Sequence, residues 1–247
     1  MDLAAGGGGD GARDGSALSP WSCVEGAGSD GVDTTAARQA SPGAGQGKSG
    51  TLGEAEMACS KKNSRRRKAW IFFQDESGVS QRPPVRRTWA PKGETPILIH
   101  AFNWEKMSIC AAIGYRWDGR RSRLFFQTRN ESYNSESLVA FLEDLRRELR
   151  GQKATLVWDG LPAHKSRKMT DYLHRQRSWL TVERLPGYAP DLNPVELLWG
   201  NIKGQELANR CAADLSELST GVHDGMRRVR RSRHLAFSFL EHAGLSF

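Results

Sequence analysis

Glu196 is the acidic side chain whose local sequence fixes its position most firmly. Asn193 is a typical helix N-cap, and Pro194 suits the first helical position because its missing N–H costs nothing there. The sequence therefore predicts that Glu196 lies in the first turn of a helix. An acid there also complements the helix dipole, which by itself explains most such glutamates. Only carboxylates from elsewhere in the chain make Glu196 a candidate for chemistry.

Two aspartates follow apolar runs that are typical of buried strands. Residues 154–158 favour a β-strand that ends at Asp159, and residues 70–74 form a second such run that ends at Asp75. Acids at the carboxyl ends of strands in an open α/β sheet point into the crevice where ligands bind. One such carboxylate alone is more often a turn residue. With Glu196 they form a set suited to hard divalent cations, which take oxygen ligands and keep open positions for phosphate.

The three acidic segments resemble the motifs of mariner-type DDE transposases, specifically those of bacterial insertion sequences. The segments are Phe73-Gln74-Asp75-Glu76-Ser77-Gly78, Val157-Trp158-Asp159-Gly160-Leu161-Pro162-Ala163-His164 and Pro190-Asp191-Leu192-Asn193-Pro194-Val195-Glu196-Leu197-Leu198-Trp199. The resemblance runs from about residue 61 to about residue 208, with the motifs in the family's order. Two features depart from it. The 37 positions from Asp159 to Glu196 are slightly more than is usual, and Gly160 stands where many relatives have Asn.

The resemblance implies an α/β fold, a ribonuclease H-like mixed five-stranded sheet flanked by helices. It also implies that Asp75, Asp159 and Glu196 are catalytic and hold two Mg²⁺ or Mn²⁺ ions. The expected reaction is metal-dependent DNA cleavage at the ends of a mobile element, followed by strand transfer to target DNA. The implied partners are transposon-end and target DNA, and synapsis of two ends makes a homodimer plausible.

The remaining segments give an element order that agrees with this fold. Residues 96–102, 108–115 and 123–127 read as the strands of an antiparallel meander. Asn134 is the predicted cap of a helix with one apolar face, formed by Leu138, Phe141, Leu142, Leu145 and Leu149. A helix at 165–177, a strand at 179–185 and further helix at 212–242 follow.

Residues 1–60 differ in composition from residues 61–247. They hold 14 of the 26 glycines and 8 acidic against 3 basic residues, a net charge of −5, which leaves +13 on the remainder. Low hydrophobicity without periodicity predicts a disordered segment ahead of one catalytic domain with a C-terminal helical extension, and a non-native origin is one interpretation of this segment. No helix-turn-helix pattern is found there. A separately encoded helix-turn-helix partner, a truncated copy and a mis-assigned start are the three explanations.

Several other classes of protein are excluded by the sequence. Residues 42–49 imitate a phosphate-binding loop, but Pro42 stands where the motif needs glycine, and no strand precedes it. No apolar stretch is long enough for a signal peptide or a membrane span. The four cysteines lack zinc-site spacing and fit a reducing compartment. We therefore expect no membrane association and a cytoplasmic location at the bacterial nucleoid.

Basic residues provide candidate DNA contacts. Arg65, Arg66 and Arg67 belong to a run of six cations at 61–68, which is otherwise a solvated tail leading into the first strand. Lys203 lies two helical turns after Glu196 and can approach bound phosphate. His164 and Lys165 end the second motif and can contact DNA or help to orient the site, although a histidine there is more often a packing or capping residue. Glu76 alternates to the opposite strand face from Asp75 and is not expected to be a ligand.

Two other functions remain open from the sequence. The chain can be a catalytically inactive, truncated transposase remnant that only binds DNA, or a host nuclease that shares the ribonuclease H-like fold and its metals. The sequence around Glu196 favours the transposase.

Overall fold

A mixed five-stranded sheet forms the centre of the computed structural model, which describes residues 60–99, 104–185 and 190–246. The strand order is β3-β2-β1-β4-β5. β2 is antiparallel to β1 and β3, whereas β4 is parallel to β1 and β5. The strands are β1 (Trp70–Ser80), β2 (Lys106–Tyr115), β3 (Ser122–Arg129), β4 (Ala154–Trp158) and β5 (Leu180–Arg184). This arrangement confirms the predicted mixed α/β sheet.

Helices cover both faces of the sheet. They are α1 (60–67), α2 (Ser135–Leu149), α3 (Arg167–Arg175), α4 (Pro194–Gln205), α5 (Leu215–Arg231) and α6 (Arg233–His242). Two 3₁₀ turns, Pro162–Lys165 and Pro190–Leu192, precede α3 and α4.

Alternating side chains of β1 divide the apolar core in two. Ile71 and Phe73 pack with the buried residues of α4, α5 and α6, whereas Trp70 and Phe72 pack with those of α2 and α3. Because successive side chains of a strand point to opposite faces, Asp75 lies on the α4 side of the sheet. Its neighbour Glu76 lies on the α2 and α3 side.

The first strand is longer than predicted. β1 continues past Asp75 to Ser80, because its antiparallel pairing with β2 continues to the pair Ser80 and Lys106. The parallel pairing of β1 with β4 stops earlier, at Phe73 and Val157. Asp75 is therefore inside a strand, although it lies just beyond the part of β1 that β4 covers.

The strand predicted at 96–102 is wrong where it can be checked. Within residues 96–99 only Leu98 makes an isolated bridge, and residues 100–102 lie outside the described residues. Pro96 cannot donate a hydrogen bond to a ladder, which weakens a strand at this point. The meander is formed instead by β1, β2 and β3.

The basic run before β1 is not a tail, because residues 60–67 are helical. Lysine and arginine are good helix formers, and one face of α1 is buried through Ser60 and Ser64. The Ser64 hydroxyl lies 2.8 Å from the Thr155 hydroxyl of β4. Of the segment predicted to be disordered, Ser60 is buried in this helix, and residues 1–59 lie outside the described residues.

The predicted helices are present, with shorter bounds in two places. The side chain of Asn134 accepts hydrogen bonds from the backbone at Glu136 and Ser137, which confirms the predicted cap of α2. The helix predicted at 165–177 is a 3₁₀ turn followed by α3, because the Ser166 side chain caps a new helix. The region 212–242 is likewise divided at Ser232, which caps α6.

Candidate active site

Asp75 lies on β1 and is held by an indole from α4. Trp199 Nε1 donates a hydrogen bond of 2.9 Å to Asp75 Oδ2. Burial raises the pKa of Asp75 to about 7, the Trp199 hydrogen bond opposes this rise, and the charges of Glu196 and Glu76 add to it. The negative charges of Glu196 and Glu76 thus lie near Asp75, and a bound cation would reduce the repulsion between them and an ionised Asp75.

Glu196 lies in the first turn of α4, as the sequence predicts. The Asn193 side chain caps this helix by accepting from the Val195 N–H at 3.2 Å, and Pro194 occupies the first turn. Val195, Leu198 and Trp199 are buried against the sheet, so Glu196 is left on the exposed face of the helix. The cap and the buried face together fix where its carboxylate emerges.

Asp159 follows the last residue of β4 and is in register with Asp75. Phe73 and Val157 are paired across the parallel strands β1 and β4, and each aspartate comes two residues later. Asp159 Oδ1 accepts a hydrogen bond of 3.1 Å from the Leu161 N–H and lies 2.8 Å from His164 Nδ1. The fold therefore brings the three predicted acids to one end of the sheet.

The three acids do not form a complete set of ligands around one point. Within the ranges that the structure describes, no three histidine, cysteine or acidic side chains are close enough together to hold one ion. Asp75 and Glu196 are close enough for one charge to affect the other, while Asp159 is turned towards His164. The donor set is all oxygen, which fits Mg²⁺ or Mn²⁺ better than zinc.

The sequence profile of the family described as DDE superfamily endonuclease matches residues 70–219, which include all three acids. This match covers more than half of the chain. The chain belongs to the DDE superfamily endonucleases. A comparison with curated protein sequences gives no match.

Solved structures show where this DDE superfamily endonuclease belongs by fold. It is similar to the Mos1 transposase paired-end complex with the left transposon end, at 15% identity and a TM-score of 0.56. That match covers 86% of this chain and 63% of the other. The mariner Mos1 paired-end complex with Mg matches at 16% identity and a TM-score of 0.56, over 86% of this chain and 65% of that one. The fold is therefore the ribonuclease H-like fold that the resemblance implied, and the chain spans less than two thirds of the length of these two Mos1 chains.

The predicted DNA contacts of the endonuclease lie in three places, which are Lys203 on α4, the turn that holds His164 and Lys165, and helix α1. Lys203 lies by the acids, since its Nζ donates to Ser77 Oγ at 2.8 Å. Lys165 is exposed, and its Nζ lies 3.1 Å from where a Cβ on Gly160 would be. His164 is buried, with 1% of its side chain exposed, so its ring is not available at the surface.

The arginines of α1 lie away from the acids. Arg65 and Arg66 are exposed, and Arg67 donates to the Thr181 hydroxyl of β5. Ser64 places the helix against Thr155, four residues before Asp159, which is about 13 Å along a strand. Any DNA contact of α1 is therefore separate from the contacts near Lys203.

Sequence reasoning missed two contacts at this site. It gave Trp199 no role towards Asp75, and it set Glu76 aside because of its face. The face is as predicted, but Glu76 Oε1 lies 3.3 Å from His164 Nε2. Glu76 therefore contacts the second motif from the α2 and α3 side of the sheet. The alternation of side chains along β1 indicated which face of the sheet Glu76 lies on. No local sequence pattern indicated that its partner is His164.

No helix in the described part of the chain combines the length and the apolar character that a membrane span needs.

Proposed function

We propose that this DDE superfamily endonuclease is an insertion-sequence transposase that cleaves DNA and transfers the cleaved strand. The observation that carries the proposal is that Asp75, Asp159 and the first turn of α4 lie at the same end of the sheet, with Trp199 of α4 hydrogen-bonded to Asp75. The family match over residues 70–219 supports it. Structures of the similar Mos1 transposase are described as complexes with Mg and with a transposon end.

Asp75, Asp159 and Glu196 are the residues that would hold two Mg²⁺ or Mn²⁺ ions. Two such ions activate an attacking oxygen and stabilise a leaving one. The chain itself orients Asp75 through Trp199, and Lys203 and Lys165 supply positive charge where phosphates would approach. Positive charge at this edge favours an anionic substrate.

The proposed reaction has two steps at one site. Water attacks the phosphorus at the element's end, the bond to the 3′ oxygen breaks, and a 3′-hydroxyl and a 5′-phosphate are released. The freed 3′-hydroxyl then attacks a phosphodiester of target DNA, and a new 3′ oxygen leaves. No oxidant or high-energy cofactor is needed. In the first step a water oxygen replaces the 3′ oxygen on phosphorus, and in the second step the freed 3′-hydroxyl oxygen replaces the 3′ oxygen of the target strand.

Partners are part of the proposal. Joining two element ends requires two active sites, which suggests a homodimer on DNA, and a separately encoded helix-turn-helix protein is one candidate for end recognition. Light scattering of the protein with and without a duplex tests the dimer. Tagging the chromosomal copy and sequencing its product test the second idea, because a helix-turn-helix segment on the same polypeptide would contradict a separate partner.

Plasmid nicking and strand transfer by the full chain test the function. We expect nicking that requires Mg²⁺ or Mn²⁺ and is lost in Asp159→Asn and in Glu196→Gln. Glu241→Gln, an exposed carboxylate of α6, is the matched control and retains activity. DNA binding without any cleavage would favour an inactive remnant, and preferential cleavage of RNA–DNA hybrid would favour a host nuclease.

A further inference from the structure

His164 is a buried imidazole between two carboxylates from different parts of the chain. Its Nδ1 lies 2.8 Å from Asp159 Oδ1 and 3.3 Å from the Asp159 backbone carbonyl oxygen, and its Nε2 lies 3.3 Å from Glu76 Oε1. The ring stacks on Trp158 with centroids 4.1 Å apart and planes 5° from parallel. The stacking and the polar contacts at both ring nitrogens hold the imidazole in place. His164 therefore links β1 to the loop after β4.

Glu76 is itself fixed. Its Oε1 accepts a hydrogen bond of 2.7 Å from Gln74 Nε2, and that amide also lies 3.2 Å from the Cys110 sulfur. Only 16% of the Glu76 side chain is exposed. Placing a carboxylate this deep is costly unless it is hydrogen-bonded, and a strand could carry an apolar residue here at no such cost. Its contacts with Gln74 and His164 account for an acid at this position.

The arrangement acts on one oxygen of Asp159. Oδ1 faces both His164 Nδ1 and the Leu161 N–H, while within the described residues no hydrogen bond reaches Oδ2. A carboxylate held through one oxygen presents the other in a defined direction. Groups that hold a metal-binding side chain in this way commonly change metal affinity or activity by about 10- to 100-fold when removed.

We propose that Glu76 and His164 are positioning residues that hold Asp159 so that its Oδ2 is presented to the divalent cation. Neither touches the substrate. Glu76 holds the imidazole at Nε2, and the imidazole in turn holds the Asp159 carboxylate through Nδ1. The inference rests on the proposed function, because it assumes that Asp159 is a metal ligand.

Three substitutions separate positioning from packing. His164→Phe keeps a ring against Trp158 but removes both nitrogens. His164→Asn places an amide near the position of Nδ1, so it can still donate to Asp159 although it loses Glu76. Glu76→Gln keeps an oxygen that can accept from Nε2, and it tests the bridge without changing His164.

The measurement is Mn²⁺ affinity of the full chain, by electron paramagnetic resonance of free Mn²⁺, together with the melting temperature. We expect His164→Phe to weaken Mn²⁺ binding about 10- to 100-fold, and His164→Asn to restore most of that loss. Glu76→Gln lies between them, and Glu241→Gln binds as wild type. Equal binding by His164→Phe and wild type would overturn the proposal, as would an Asn variant no better than the Phe variant.

A double-mutant cycle distinguishes this failure from failure of the proposed function. In an Asp159→Asn background the His164→Phe change should have no further effect on Mn²⁺ binding, because its only route to the cation is gone. A purely structural role would give the same loss in both backgrounds. If Asp159→Asn alone leaves Mn²⁺ binding unchanged, Asp159 is not a ligand, and the proposed function fails first.

Discussion

Asp75 is oriented by a donor that is distant in the sequence, whereas Asp159 contacts the nearby His164, which in turn contacts a distant carboxylate. Trp199 holds Asp75 across 124 positions, and His164 draws its second support from Glu76 across 88 positions. Both supports reach the acids from within a packed core. At the scale of single residues, the geometry of the proposed site therefore includes these contacts as well as the carboxylates.

Trp199→Phe tests the support of Asp75. Phenylalanine keeps most of the apolar contact of Trp199, which is 4% exposed, but it removes the hydrogen bond to Asp75 Oδ2. We expect Mn²⁺ binding and plasmid nicking to fall about 10- to 100-fold, because the carboxylate loses the donor that orients it. Titration with Mn²⁺ and the initial nicking rate provide the measurement.

Trp179→Phe is the matched control for this substitution. Trp179 is 6% exposed and donates through Nε1 to Gln176 Oε1 at 2.9 Å, but it packs on the α2 and α3 side of the sheet. Its loss should lower stability by a similar amount without affecting Mn²⁺ binding. An equal loss of Mn²⁺ binding in both variants would mean that the Trp199 effect is general destabilisation.

The acids could be predicted from sequence, and their supports could not. Asn193 and Pro194 specify the start of α4 within a few residues, and the apolar run before Asp159 specifies the end of a strand. The contacts of Trp199 with Asp75 and of Glu76 with His164 depend on how separate elements pack. Local patterns contain no such information, so Glu76 was assigned to the correct face and still had no partner.

At the scale of elements, α1 is attached to the sheet by a buried pair of hydroxyls. Ser64 and Thr155 are at most 1% exposed, and their oxygens lie 2.8 Å apart. We expect Ser64→Ala to destabilise the protein by about 1–3 kcal/mol, because it leaves the Thr155 hydroxyl buried without its partner. The double variant Ser64→Ala with Thr155→Val should recover most of this loss in urea unfolding, and an additive loss would contradict the pairing.

A close approach inside the sheet gives a second prediction for the elements. Gly114 of β2 is paired with Phe72, and a Cβ at this position would overlap the Phe72 ring. Gly114→Ala should cost about 1–3 kcal/mol of stability through overpacking. Gly200 in α4 has no atom within 4 Å of its Cβ position, so Gly200→Ala should instead stabilise by about 0.5–1 kcal/mol. Thermal unfolding of both variants checks the opposite signs.

Element boundaries were predicted best where capping and periodicity coincide. The Asn134 cap and the five leucine and phenylalanine positions of α2 gave that helix almost completely. The first strand was predicted to end at Asp75, because polar residues follow it, but pairing with β2 carries it to Ser80. The cationic run of α1 has no apolar periodicity, and its helix depends on the burial of two serines that the sequence does not mark.

At the scale of the whole molecule, charge is divided unevenly along the chain. Residues 61–247 carry a net +13, while the first 60 residues carry −5. The basic residues near the acids and those of α1 lie at opposite ends of β4.

The charge distribution predicts that affinity for a random-sequence duplex depends steeply on salt. If six to ten phosphates are contacted, affinity should fall by about 10³ to 10⁵ between 50 and 200 mM NaCl, because condensed cations are released on binding. Lys203→Ala should weaken binding and reduce the logarithmic salt slope by about 1. Arg147→Ala, on α2 at the opposite face of the sheet from α4 and already paired with Asp144, should change neither. Fluorescence anisotropy at several salt concentrations gives both slopes, and a slope unchanged by Lys203→Ala would place the phosphates away from α4.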